Sequence, residues 1–135
     1  MPLTYRIDLE ANMIFVLGEG ALTQADKIEG MRAWMADPDY RPGLNVLFDF
    51  AAVTTPGTRE DLQQTVAFIA RKAATIGRKK VALVMASPLA FGVARQFHAL
   101  LGETALELDV FKSRDEALAW LRTPSKDAAR QDSGV

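Results

Sequence analysis

The sequence predicts one α/β domain with a mixed, mainly parallel sheet of five strands and four helices, in the order ββαβαβαβα. Short apolar segments such as LNVLFDF and KKVALVMA are typical of strands that are buried on both faces. Each is followed by apolar residues at helical spacing, and this alternation favours parallel pairing with crossover helices. The 135 residues fit a single core. We expect the domain at 1–123 and a disordered, polar tail at 124–135.

The first third of the chain predicts a hairpin and a helix. LTYRIDLE alternates apolar and polar residues, and MIFVLGEG follows the short polar link AN, so we expect two strands joined by a tight reversal. Thr23 is placed to cap a helix with Asp26 in its first turn, and apolar residues recur at helical spacing up to Met35. The first helix is therefore predicted at 23–36.

The remaining helices are predicted from their caps. The second opens at Thr58 and ends at Gly77. The third begins after Ser87, with Pro88 at the first helical position, where a missing N–H has no cost. The last begins after Ser113 and follows the strand LELDVFK. The predicted core consists of Val46, Leu47, Val66, Ile69, Val81, Leu83, Val84, Val93 and Phe97.

Composition excludes several classes of partner and chemistry. Sixteen basic and seventeen acidic residues leave a net charge of -1, so we expect no nucleic-acid partner. Without cysteine there is neither a thiol nucleophile nor a disulfide framework. No apolar run reaches the roughly 18 residues of a membrane span, so we expect a cytoplasmic protein without stable membrane insertion.

Three segments carry a resemblance to a known family. They are DPDYRPGLNVLFDFAAVT at 37–54, KVALVMASPLAFGVARQFHAL at 80–100 and VFKSRDEALAWL at 110–121. In these segments and their order the chain resembles the SpoIIAA-like family of STAS-related domains, whose fold is similar to that of CRAL-TRIO lipid-transfer domains. The resemblance implies a non-catalytic regulatory or protein-interaction domain. Its alternative is a carrier or sensor of a small apolar or lipid-like ligand, bound between sheet and helices near Phe50, Met85 and Phe91.

The loop at 51–61 departs from the pattern of that family. Anti-sigma factor antagonists present a phosphorylatable serine after an aspartate in the equivalent loop, whereas AAVTTPGTRED has no Asp-Ser pair. It offers Thr54, Thr55 and Thr58 instead. A phosphate on Thr58 would lie at a helix N-terminus, where negative charge is favoured, and phosphorylation of the other threonines of this loop stays open.

The same loop belongs to a candidate binding site. Open parallel sheets bind ligands beyond the carboxyl ends of their strands, where we expect Asp49, Thr54, Thr55, Thr58 and Ser87. Free N–H groups at helix starts would favour an anion there. Hydroxyl residues at these positions are also ordinary helix caps, so the binding and structural interpretations both stay open.

Four residues outside the apolar stripes predict an interface. Phe68 falls on the polar side of the second helix and Trp34 off the stripe of the first, while Phe91 and His98 lie off the stripe of the third. Exposed aromatics are favoured anchors, so we expect a homodimer or a regulatory partner, with partial burial by neighbouring elements as the alternative. A single histidine does not make a metal site, and no GxSxG, Walker or GxGxxG motif is present. We therefore predict no cofactor, metal or catalytic residue.

Overall fold

The computed structural model describes residues 3–55, 58–77, 79–101 and 106–124. Within these ranges the chain forms five strands and five helices in the order ββαβααβαβα. The strands are β1 (Leu3–Asp8), β2 (Met13–Gly20), β3 (Asn45–Val53), β4 (Lys79–Val84) and β5 (Leu106–Phe111). The helices are α1 (Gln24–Met35), α2 (Arg59–Arg71), α3 (Ala73–Ile76), α4 (Pro88–Leu101) and α5 (Arg114–Leu121). The predicted disordered tail, from 125 onward, lies outside the described residues.

The predicted five-stranded mixed sheet is confirmed. Its strand order is β1-β2-β3-β4-β5, with β1 antiparallel to β2 and the other neighbours parallel. The hairpin turn contains Asn12 at a φ of 57°, a left-handed conformation that asparagine tolerates better than most residues. The N–H of Asn12 donates to the Leu9 carbonyl at 3.2 Å and closes the turn.

Helices cover both faces of the sheet unequally. One face, here called the three-helix face, packs Ile14, Val46 and Val81 against α1, α2 and α4. The other, the α5 face, packs Leu47 and Ala82 against the single helix α5. Of the predicted core, Val66 and Val93 are only half-buried, and the other seven residues are buried. None of the helices in the described ranges is long and apolar enough to cross a membrane.

The single helix predicted between Thr58 and Gly77 is instead two helices. The backbone of Lys72 leaves helical geometry, with φ -104° and ψ 15°, between α2 and α3. Its N–H is shared between the carbonyls of Phe68 and Ile69, both at 3.1 Å, an arrangement common at helix ends. Gly77, with φ +70°, then ends α3. Four predicted helices therefore become five.

The expected exposure of Phe68 and Trp34 is wrong. Phe68 is 2% exposed and Trp34 is 3% exposed within a single chain. Phe68 lies on the side of α2 that meets α1, where the guanidinium carbon of Arg32 is 5.6 Å from the ring centroid. Trp34 belongs to the same buried cluster as the three-helix face. The helix pattern located the sheet-facing stripes but could not show that the sides of α1 and α2 are also covered.

Candidate functional site

The five residues predicted at the carboxyl ends of the strands do not form one site. Asp49 lies inside β3, which continues to Val53. Its carboxylate Oδ2 accepts from Arg114 Nη1 at 3.3 Å, and its Oδ1 accepts from the N–H of Ala51 at 3.3 Å. Arg114 belongs to α5. Asp49 is therefore an ion-paired residue on the α5 face, away from the threonine loop.

Two threonines of the loop after β3 form hydrogen bonds to the backbone of the segment that precedes α1. Thr55 Oγ1 accepts from the N–H of Leu22 and donates to its carbonyl, both at 2.9 Å. The N–H of Thr54 donates to the Gly20 carbonyl at 2.8 Å. These bonds hold the loop against the start of α1.

Thr58 and Ser87 occupy the helix starts predicted for them. Thr58 Oγ1 accepts from the N–H of Asp61 at 3.0 Å, and the Asp61 carboxylate accepts from the N–H of Thr58 at 3.1 Å, so the two residues form a capping box. Ser87 is exposed, and its carbonyl accepts from the N–H of Phe91 at 2.9 Å in the first turn of α4. Thr58 thus has the structural role expected of a cap, and Ser87 directly precedes α4.

Of the four predicted interface residues, Phe91 and His98 are the two that reach solvent. Phe91 is half-buried against the core of the three-helix face, and the Lys112 ammonium lies 5.3 Å from its ring centroid. His98 is exposed on α4. Among the residues that the structure describes, no cluster of three acidic, histidine or cysteine side chains could hold a metal ion.

A cavity of about 140 Å³ lies between the sheet and helices α1, α2 and α4. Its walls are mostly apolar and include Val46, Phe50, Leu62, Val81, Leu83 and Phe97. Phe50 and Met85, which the sequence placed near a ligand pocket, line it, whereas Phe91 packs beside it without lining it. Thr55 is the one member of the predicted carboxyl-end site among the lining residues.

Lys79 brings a positive charge to this cavity. It is the first residue of β4, and the alternation of the strand places it on the three-helix face with Val81 and Leu83. Lys79 is 6% exposed, and burial lowers the pKa of its ammonium to about 8. Nζ donates to the hydroxyl of Tyr40 at 3.4 Å. A buried cation therefore lies at the amino-terminal edge of the sheet.

Two aromatic rings flank the Lys79 ammonium. Nζ lies 5.3 Å from the ring centroid of Trp34 and 5.2 Å from that of Tyr40. The two rings are themselves in contact, with centroids 5.7 Å apart. Trp34 Nε1 is buried and has no hydrogen-bond partner among the described residues. Since buried donors are normally paired, this N–H is an unusual feature of a residue that lines the cavity.

Polar groups also line the cavity near the start of α2. Gln24 Nε2 donates to the Asp61 carbonyl at 3.0 Å and to Thr65 Oγ1 at 2.8 Å. Lys27 is half-buried; burial lowers the pKa of its ammonium, and the charge of Asp61 partly offsets this effect. Here the side-chain amide is satisfied and the cation has an acid nearby. Near Lys79, by contrast, Trp34 Nε1 has no hydrogen-bond partner among the described residues, and no acid offsets the effect of burial on the pKa of Lys79.

Sequence reasoning missed Lys79, although the strand pattern contains a usable signal. β4 begins with two consecutive lysines, and in a strand buried on both faces these must point to opposite sides. Lys80 points to the α5 face, where Nζ donates to the carbonyls of Trp120 and Thr123 at 2.6 and 3.1 Å. Lys79 must then point toward α1. Period-two alternation identifies both positions as buried lysines.

The architecture is similar to that of a solved protein. The crystal structure of an uncharacterized protein of the DUF3478 family with a SpoIIAA-like fold, from Shewanella loihica PV-4, superposes with a TM-score of 0.59. The match covers 88% of this chain and 93% of that chain at 15% sequence identity. The chain has a SpoIIAA-like fold. The fold that the sequence segments implied is thereby confirmed.

Comparison of the sequence of this chain with known proteins finds a local similarity. No family model matches the chain. A stretch of 66 residues, which is 49% of this chain, is 29% identical to sulfate adenylyltransferase subunit 1 of Teredinibacter turnerae. The chain thus spans 14% of the length of that subunit. A match of this extent identifies a stretch of similar sequence and not a shared activity. We therefore infer the function from the cavity of the SpoIIAA-like fold.

Proposed function

We propose that this chain is a non-catalytic binding domain that holds one small apolar or amphipathic molecule between its sheet and the helices α1, α2 and α4. The observation that carries the proposal is the apolar cavity of about 140 Å³ on the three-helix face. Interiors are normally packed to crystal density, with few voids larger than a water molecule. An apolar cavity of roughly 150 Å³ is large enough to bind benzene.

The polar groups around the cavity support binding without chemistry. Asp61 is committed to the capping box at the start of α2, and Thr55 is committed to the backbone of Leu22. His98 lies exposed on α4. General acid–base catalysis needs a titratable group within hydrogen-bond reach of the reacting atoms. Besides Asp61, the titratable groups of the described cavity wall are two lysines, which we assign to ligand binding instead of proton transfer.

Hexan-1-ol is a suitable probe, and one substitution in the cavity wall tests the site. Ala94 is 2% exposed and lines the cavity, so Ala94→Met would fill part of its volume. Ala99 lies on the exposed side of the same helix, so Ala99→Met is the matched control. Isothermal titration calorimetry should show saturable binding of one hexan-1-ol to the native chain and to Ala99→Met, and none to Ala94→Met.

Amide chemical shifts give a second measurement of the same proposal. Hexan-1-ol should move the resonances of cavity residues such as Leu83 and Phe97. The proposal fails if hexan-1-ol gives no saturable heat and no shift change at these positions. It also fails if Ala94→Met folds and binds as well as the native chain.

A regulatory or protein-interaction role stays a prediction of the family resemblance, and so does the homodimer that such a role could use. Trp34 and Phe68, two of its four expected anchors, are buried inside one chain. Ligand binding in the cavity therefore ranks first. Sedimentation velocity of the native chain over a range of concentrations tests the homodimer directly, because a mass that stays monomeric would remove it.

A further inference from the structure

We propose that the end of the cavity at Lys79 and Trp34 holds the carboxylate of a small monocarboxylic acid, whose apolar body fills the remaining volume. This inference rests on the proposed function, because it assigns a chemical class and an orientation to the molecule in the same cavity. It places the charged end of the ligand at the amino-terminal edge of the sheet, opposite to the carboxyl edge where parallel sheets usually bind ligands.

Among the described residues, hydrogen-bond donors of Lys79 and Trp34 lack acceptors. The Lys79 ammonium carries three N–H donors, and Tyr40 Oη accepts from it at 3.4 Å. The Tyr40 hydroxyl in turn donates to the carbonyl of Thr75 at 2.8 Å, so its oxygen is left to accept from Lys79. Trp34 Nε1 adds a donor with no partner among the described residues. Donors therefore outnumber acceptors at this end of the cavity.

The charge of the Lys79 ammonium also favours an anionic ligand. Within the described part of the chain, no carboxylate forms an ion pair with Lys79, and burial is the cause of its lowered pKa. The faces of Trp34 and Tyr40 attract the ammonium, at 5.3 and 5.2 Å, but a ring quadrupole compensates a buried charge only in part. A carboxylate would supply the opposite charge and as many as four acceptor sites. A carboxylate therefore supplies both the hydrogen-bond acceptors and the negative charge that this end of the cavity lacks among the described residues.

The size of the cavity and the charge at its Lys79 end limit the class of ligand. A cavity of about 140 Å³ accommodates an apolar body of about six carbon atoms, by comparison with cavities that bind benzene. The ligand class is therefore a short-chain or monocyclic acid and not a long-chain lipid. Lys27, the other lysine of the cavity wall, has Asp61 nearby, so at the Lys79 end one cation matches one negative charge and a dianion would leave charge uncompensated. An amine of the same size would be repelled by Lys79.

Hexanoate, hexanamide and hexylamine form a matched set of probes that differ in charge at one end. Isothermal titration calorimetry near neutral pH should give the order hexanoate tighter than hexanamide, with hexylamine weakest. The carboxylate of hexanoate adds its charge to hydrogen bonds that the amide oxygen of hexanamide makes without one, so hexanoate should bind at least about tenfold more tightly than hexanamide. Equal affinity for hexanoate and hexanamide would overturn the inference while leaving the proposed function standing.

Two variants assign this preference to the proposed donors. Lys79→Met keeps most of the length of the side chain and removes the charge, and should lower hexanoate affinity about tenfold or more while weakening hexanamide less. Trp34→Phe keeps a ring and removes Nε1–H, and should lower hexanoate affinity by a smaller factor. Lys72→Met removes a charge from an exposed lysine and serves as the control, with hexanoate affinity unchanged. Thermal melts establish that each variant is folded.

The indole N–H resonance of Trp34 reports the same contact directly. It can be assigned by its loss in Trp34→Phe, and it should shift with hexanoate more than with hexanamide, because a carboxylate is the stronger acceptor. An unchanged resonance at saturating hexanoate, or full hexanoate affinity in folded Lys79→Met, would overturn the assignment of the carboxylate to this end. Failure of all three probes to bind would instead overturn the proposed function.

Discussion

The hydroxyl of Thr55 accepts a hydrogen bond from the N–H of Leu22 and donates another to the carbonyl of the same residue, both at 2.9 Å. One side chain thus satisfies both backbone groups of a residue 33 positions earlier in the chain. Leu22 is 3% exposed and directly precedes the capping residue of α1. Thr55 therefore joins the loop after β3 to the segment that leads into α1.

Replacing Thr55 by valine should destabilise the fold. Thr55→Val keeps the shape of the side chain but leaves the partly buried N–H and carbonyl of Leu22 without this partner, and an unpaired buried polar group costs about 1 to 3 kcal/mol. Thr54→Val is the matched control, since its side chain is exposed and its backbone bond to Gly20 remains. It should change the free energy of unfolding by no more than about 0.5 kcal/mol. Urea denaturation compares the two, and equal losses would contradict the special role of Thr55.

Phe68→Ala should unfold the protein more readily, in contrast to the neutral effect expected of an exposed interface anchor. The ring is 2% exposed between α1 and α2, and deletion of a buried aromatic ring typically costs about 3 to 5 kcal/mol. Leu89→Ala removes a side chain that is 68% exposed, and should cost no more than about 0.5 kcal/mol. Thermal and urea denaturation measure both. A stable Phe68→Ala chain with altered self-association would restore the interface interpretation.

The strands and helix starts could be predicted because they depend on local chemistry. A continuous apolar run such as the one in β4 specifies a buried strand, and an oxygen-bearing side chain before a helical pattern specifies a cap. Thr23, Thr58 and Ser113 each accept the N–H of the third helical residue, as the sequence predicted. Parallel pairing with crossover helices followed from the alternation of strands and helices, whereas the order of the strands within the sheet was not predicted from the sequence.

The candidate site could not be predicted in the same way because it depends on packing between distant elements. Helical spacing identifies the side of α2 that faces the sheet, but only the position of α1 shows that the side with Phe68 is buried as well. Asp49 follows an apolar run, yet β3 continues past it and its partner Arg114 is 65 positions away. The volume of a cavity depends on how side chains from several helices fit, which one sequence does not specify.

Lys79 should make the stability of the fold depend on pH in the alkaline range. Burial lowers the pKa of its ammonium to about 8 in the folded chain, against 10.5 for the free side chain. Between these two values the unfolded chain binds more protons than the folded chain, so the free energy of unfolding rises with pH. Tyr40, the titratable group in contact with Lys79 within the described residues, has a pKa raised by burial.

The native chain should therefore gain about 2 kcal/mol in free energy of unfolding between about pH 7 and about pH 10, relative to Lys79→Met. Methionine cannot titrate, and groups common to both chains cancel in the difference. Lys72→Met, which removes an exposed lysine at the end of α2, should keep the native pH dependence. Urea denaturation at a series of pH values measures all three chains. If the native and Lys79→Met curves run parallel, the Lys79 ammonium is not buried as the structure places it, and the charge argument for a carboxylate ligand loses its basis.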